Sequence, residues 1–60
     1  MEKTQIKNLK KGDYFRLKND EKSPLWVRNH YDRGSKTYAC YKYEDVNHEH
    51  FFKGTKEVYI

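Results

Sequence analysis

His48 and His50 stand two residues apart, with Glu49 between them, Asp45 upstream and Cys40 further back. Each of these side chains is a possible metal ligand. Their spacing argues against a site. Residues two apart do not share a face of a helix, and on a strand only the two histidines would align. No CxxC or HxxxH pattern occurs, so neither a metal nor any other cofactor is expected. A thiol nucleophile would need Cys40 beside a base, but Ala39-Cys40-Tyr41 reads as a strand interior, where cysteine is a small buried hydrophobe. Arg28, His30, Arg33 and Glu44 would suit acid–base hydrolysis of RNA if the chain gathered them at one end of a hairpin. The simpler reading is that the histidines sit in a polar loop and the chain is not an enzyme.

Binding chemistry has the stronger signal. The segment from Leu25 to Tyr43 holds half of the aromatic residues and interleaves them with Arg and Lys. Two runs rich in aromatic and β-branched residues flank Asp32-Arg33-Gly34-Ser35, the pattern of a β-hairpin. A four-residue loop there sets Tyr31 opposite Lys36, Asn29 opposite Tyr38 and Val27 opposite Cys40. On the alternate face, Trp26 then opposes Tyr41 and Arg28 opposes Ala39. That register gathers Trp26, Arg28 and Tyr41 on one face, with Tyr43 further along. Lys10, Lys11, Lys36 and Lys42 supply rim charge. Rings on a sheet stack bases at about 1–3 kcal/mol each, and lysines meet phosphates. These eight residues form the expected nucleic-acid surface, for DNA or RNA. In so small a domain the same rings can instead be the core, so their exposure decides. Exposed Trp26 and Tyr41 beside Lys or Arg favour nucleic acid; an apolar exposed strand edge favours a protein partner or a homodimer.

The elements that must position these residues are few. Sixty residues make one domain, spanning 1–60, which buries only about 60% of its unfolded surface. A lone cysteine gives no internal disulfide, so aromatic rings, 17% of the chain, must supply the core. Thirteen basic residues against nine acidic give a net charge of +4, which favours polyanions but is also what a small domain carries for solubility. Met1 to Gln5 is polar, no signal peptide is evident, and no run approaches the ~18 apolar residues of a membrane span. A cytoplasmic location without membrane contact is therefore expected.

Along the chain, Ile6 and Leu9 precede a Lys10-Lys11-Gly12-Asp13 turn. A strand follows over Tyr14 to Lys18, with Phe15 and Leu17 on one face. Asn19 to Pro24 is a polar loop, after which the hairpin begins. From Glu44 to Phe52 the period of two breaks, and Asp45 can N-cap one or two helical turns through Phe51. Lys53-Gly54-Thr55 turns the chain into a last strand, Lys56 to Ile60, with Val58 and Ile60 on one face. Four to five antiparallel strands and one short helical turn predict a mostly β fold, a small barrel of the SH3-like kind.

Three resemblances accompany that reading. Ile6-x-x-Leu9-x-x-Gly12-Asp13-x-Phe15 resembles the lead-in to the first strand of many SH3-like barrels. Most of the chain is similar to a group of short uncharacterised proteins from anaerobic gut bacteria and their mobile elements. The matching residues are Asn8 through Phe15, Trp26-Val27-Arg28, Tyr31-Asp32-Arg33, Tyr38-x-Cys40-Tyr41, Asp45, and Phe51 through Gly54 continuing to Val58-Tyr59. That resemblance implies no activity, and the related chains run a few residues past Ile60. Lys10 to Tyr14 also resembles the opening of endoribonuclease toxins with SH3-like barrels, which are about twice this length, and the likeness ends after the first turn.

Overall fold

The computed structural model describes residues 1–60 and places six strands around one 3-10 turn. The strands are β1 (Lys3–Gln5), β2 (Tyr14–Arg16), β3 (Leu25–Asp32), β4 (Thr37–Lys42), β5 (Asp45–Lys53) and β6 (Glu57–Tyr59), and the 3-10 turn is Ile6–Asn8. All six form one antiparallel sheet in the order β1-β6-β2-β3-β4-β5. The fold is mostly β, as expected, but β1 and β5 remain as two edges, so the sheet is not closed. No helix is long and apolar enough to cross a membrane.

The Lys10–Asp13 turn forms through its own side chain: the Lys10 backbone N–H donates to Asp13 Oδ2 at 2.8 Å. Gly12 takes a φ of +96°, a conformation that costs other residues a clash at Cβ. Its N–H then reaches Arg28 O at 2.7 Å, and the Arg28 N–H reaches Asp13 O at 2.9 Å, so the turn extends the β2–β3 ladder.

The β3–β4 hairpin exists, but its register differs from expectation in two ways. Asp32 stays in the strand opposite Thr37, and the loop is Arg33 to Lys36, closed by Lys36 at φ +58°. Asp32 holds this loop by accepting from the Gly34 N–H at 3.0 Å and from Ser35 Oγ at 3.1 Å. Beyond it, Asn29 and His30 together oppose the single Ala39, a β-bulge between the Tyr31↔Tyr38 and Arg28↔Cys40 pairs. One extra residue flips the faces. Trp26 therefore opposes Lys42, and Tyr41 opposes Val27.

The helical turn expected after Asp45 is instead β5. Asp45 does accept a local bond, from the Asn47 N–H at 3.2 Å, as an N-cap would. Here that bond shapes an irregularity: Lys42 pairs with Asp45 and Tyr41 with Glu49, leaving Val46, Asn47 and His48 without partners on β4. From Glu49 to Lys53 the ladder is regular, and alternation sends His50 and Phe52 to the concave face. Phe52 meets Trp26 at 5.5 Å and Phe15 at 6.4 Å, both edge-on. This packing favours the strand over two isolated helical turns, which are unstable alone.

The core lies on the concave face and joins Ile6, Leu9, Phe15, Trp26, Cys40 and Val58, with Leu17, Tyr38 and Phe52 packed at its margin. Burying each large apolar side chain contributes about 1.5–3 kcal/mol. The 3-10 turn covers this face. Its Ile6 N–H donates to Lys56 O at 3.1 Å and its Lys7 N–H to Gly54 O at 3.0 Å, tying it to the β5–β6 turn. Val58 is fully buried, whereas Ile60, expected beside it, is exposed and pairs only its backbone with Glu2.

Candidate functional site

The eight residues expected to form one nucleic-acid face fall in separate places. Trp26 is only 5% exposed, stacked on Phe15 at 6.5 Å and met edge-on by His48 at 5.8 Å. The Lys42 ammonium lies 5.8 Å from the Trp26 ring and shields it from solvent. Arg28 shares the concave side, with its guanidinium 4.4 Å from the Tyr38 ring and its buried Nε without a partner. Tyr41 points to the convex side with Val27 and Glu49, because those residues pair directly. Tyr43 occupies the β4–β5 turn, edge-on to Tyr14 at 5.7 Å. Lys10 and Lys11 are exposed on the turn before β2. The shared stacking face of Trp26, Arg28 and Tyr41 is thus corrected: the bulge at Asn29 and His30 divides it between two sides.

The convex face is rich in rings but electrically balanced. Lys3, Arg16 and Lys53 share it with Asp32, Glu49 and Glu57 by register. Its ion pair, Lys3 Nζ to Glu57 Oε2 at 3.4 Å, is well exposed and contributes little. A polyanion gains no field there.

Positive charge concentrates in a cleft of about 470 Å³ at the loop end of the β3–β4 hairpin. Lys7, Lys36 and Lys53 line it with Tyr31, Tyr38, Ser35, Gly54 and Thr55, and no carboxylate joins them. The Tyr31 and Tyr38 rings stand 4.7 Å apart at 52°. Of the expected residues only Lys36 is here. Lys7 and Lys53 are far apart in sequence and meet only because the 3-10 turn bonds to the β5–β6 turn. The ring pair follows from the observed loop, because Tyr31 and Tyr38 each stand two residues from it; the expected Asp32–Ser35 loop set Tyr31 opposite Lys36 instead. A second cleft, about 720 Å³, sets Arg16, Lys22 and Lys42 against Glu21, Glu44 and Asp45. Its charges cancel.

The enzymatic constellations come apart. Arg33 lies in the loop before β4 and Glu44 in the turn after it, so six strand residues at ~3.3 Å each separate them. No group of three or more His, Cys, Asp or Glu side chains lies together. Cys40 is fully buried and donates to Tyr38 O at 3.6 Å. Burial pushes its thiol up to about 11, against weaker opposing effects of the Asn29 backbone and Arg28. The thiolate is the reactive form, so a thiol reagent should label Cys40 slowly in the native protein and quickly in denaturant. The unfolded thiol ionises near 9, so stability from this group is complete below that pH and falls as pH rises through 9 toward 11. Rapid labelling of folded protein at pH 7.5 would show that the β3–β4–β5 packing opens readily.

The remaining feature is the edge itself. β5 is nine residues long, with every residue exposed except the half-buried Phe52, and it includes the apolar Val46 and Phe51. Edge strands in soluble proteins are usually short, charged or interrupted. β1 at the other edge is three residues and begins with Lys3. β5 is interrupted over Val46 to His48, and its Glu49–Lys53 stretch is charged only at its two ends, around His50, Phe51 and Phe52. No family model matches the chain, and no curated protein or solved structure matches it either.

Proposed function

We propose that this chain is a non-enzymatic binding module that works by strand pairing, joining a second copy of itself along β5. The observation that carries this reading is the self-complementarity of Glu49-His50-Phe51-Phe52-Lys53. Run antiparallel about a two-fold axis at Phe51, the stretch sets Glu49 opposite Lys53 of the second copy, and the reverse pair forms by symmetry. Phe51, 46% exposed in the monomer, meets its own counterpart on the convex side. His50 meets Phe52 on the concave side, repeating the 4.6 Å ring contact the two make within one chain. Opposite charges and facing rings are the pairs that stabilise antiparallel strands, at about 0.2–1 kcal/mol each. The two-fold makes the Glu49–Lys53 and His50–Phe52 pairs count twice, and the Phe51 pair on the axis once.

An edge contact of five residues buries little surface, so the association is weak and concentration-dependent. Sedimentation across a wide concentration range should show a reversible monomer–dimer equilibrium. Phe51→Lys, which sets two ammoniums on the axis, should abolish it without unfolding the exposed strand. Glu49→Lys should weaken it about tenfold, and Glu49→Lys with Lys53→Glu should restore it. A monomer at every concentration, or a dimer indifferent to Phe51→Lys, overturns the reading.

Kinship with SH3-like barrels draws support from the lead-in motif, because Ile6, Leu9 and Phe15 are all core residues on the concave side. A cytoplasmic setting fits a buried cysteine with no partner. Nucleic-acid binding loses its stacking face with the burial of Trp26 and keeps the support of one observation, the lysine-lined cleft.

A further inference from the structure

We infer that the cleft between the β3–β4 loop and the 3-10 turn binds a nucleotide through its phosphate monoester, with the base against Tyr31. The inference goes beyond strand pairing and shares only Lys53 with it. Lys7, Lys36 and Lys53 bring three positive charges to one concavity with no carboxylate in its lining. Asp32 is near and keeps its charge, but it does not line the cleft, and its carboxylate oxygens accept from the Gly34 N–H and the Ser35 hydroxyl within the loop. A bridging phosphodiester carries one negative charge and leaves most of this field unmatched. A phosphate monoester carries about −1.5 to −2 at pH 7, with three strong acceptor oxygens, and neutralises it far better.

The ring pair supplies the second half of the site. Tyr38 is backed by the Arg28 guanidinium at 4.4 Å and flanked by Tyr31 at 4.7 Å, so its position is fixed. Tyr31, 42% exposed, is the ring open to a base. Stacking of this kind tolerates any base, because every base has a π-face. About 470 Å³ lies within the ~300–1,000 Å³ range of small-ligand sites, enough for one nucleotide. The backbone of Lys36 is a further sign of constraint. A lysine held at φ +58° is unusual, and it fixes where the side chain leaves the loop.

The phosphate can belong to a free nucleotide or to the 5′ end of a strand. Titrations at low salt with adenosine 5′-monophosphate, adenosine, and a pentanucleotide with and without a 5′-phosphate separate these sources. The monophosphate should bind at least about tenfold more tightly than adenosine, since charged hydrogen bonds are at stake. Equal affinity of monophosphate and 5′-phosphorylated strand assigns the site to free nucleotides; tighter binding of the strand assigns it to ends. Lys36→Gly should fold at least as well as the parent, because glycine accepts this backbone freely, yet it should lose most of the monophosphate preference. Lys7→Gln should act alike. Both residues lie outside β5, so their effect is independent of any dimer. No binding of the monophosphate at millimolar concentration, equal binding of adenosine, or indifference to both substitutions overturns the inference.

Discussion

Trp26→Ala should cost about 3–5 kcal/mol and leave little cooperative unfolding transition at 25 °C. Domains of ordinary size have about 5–15 kcal/mol in total, and one of 60 residues belongs near the lower end. The loss is large because the indole is the hub of the concave face. Phe15 stacks on it, Phe52 and His48 meet it edge-on, and Lys42 closes it from above. Truncation removes the transfer energy of the ring and leaves a cavity between β2 and β5, two strands that cannot collapse onto it without breaking their ladders. Tyr41→Ala is the matched control, on the convex side of the neighbouring strand and half-buried; it should cost much less. Urea melts followed by far-ultraviolet circular dichroism measure both. If Trp26→Ala melted like the parent while an oligonucleotide affinity fell, the indole would be a surface ring and the observed register would be wrong.

That contrast shows how far the residues themselves reveal the fold. The Lys10–Asp13 turn, the Phe15 strand, the β3–β4 hairpin and the buried Cys40 and Val58 follow from patterns of two to ten residues. Each is settled by local chemistry: an Asp beside a Gly, alternation, a Gly-Ser loop. The face of Trp26 is not, because it depends on where a bulge falls. Nothing in Asn29-His30 distinguishes a bulged pair from two ladder residues. The β5 strand was illegible for a related reason. Asp45 makes the bond of a helix cap, and three unpaired residues after it erase the period of two. Only the demand of the Phe15–Trp26 core for the Phe52 ring selects the strand, and that demand is long-range. The cleft illustrates the same limit. Lys7, Lys36 and Lys53 have no shared spacing, and the hydrogen bond from Lys7 N–H to Gly54 O is what brings the outer two together.

Gly54→Ala should destabilise the protein by about 1–3 kcal/mol, the usual cost of forcing extra volume into a packed position. A Cβ at this site would lie 2.9 Å from Tyr38 Cε1 and 3.2 Å from Lys7 Cβ. Contacts that short must be relieved by movement of one neighbour. The Tyr38 ring has little room, held between Arg28 and Tyr31. Lys7 Cβ can retreat only with the 3-10 turn, and that breaks the Lys7 N–H bond to Gly54 O and lifts Ile6 from the core. The substitution therefore tests whether the cleft is preformed or closes around what it binds. A melt within about 0.5 kcal/mol of the parent, the scale of an ordinary surface change, would mean that Tyr38 swings aside freely. A ring that mobile could not hold Tyr31 in place for stacking, and the cleft would then have to form on binding, with an affinity reduced by the cost of ordering it.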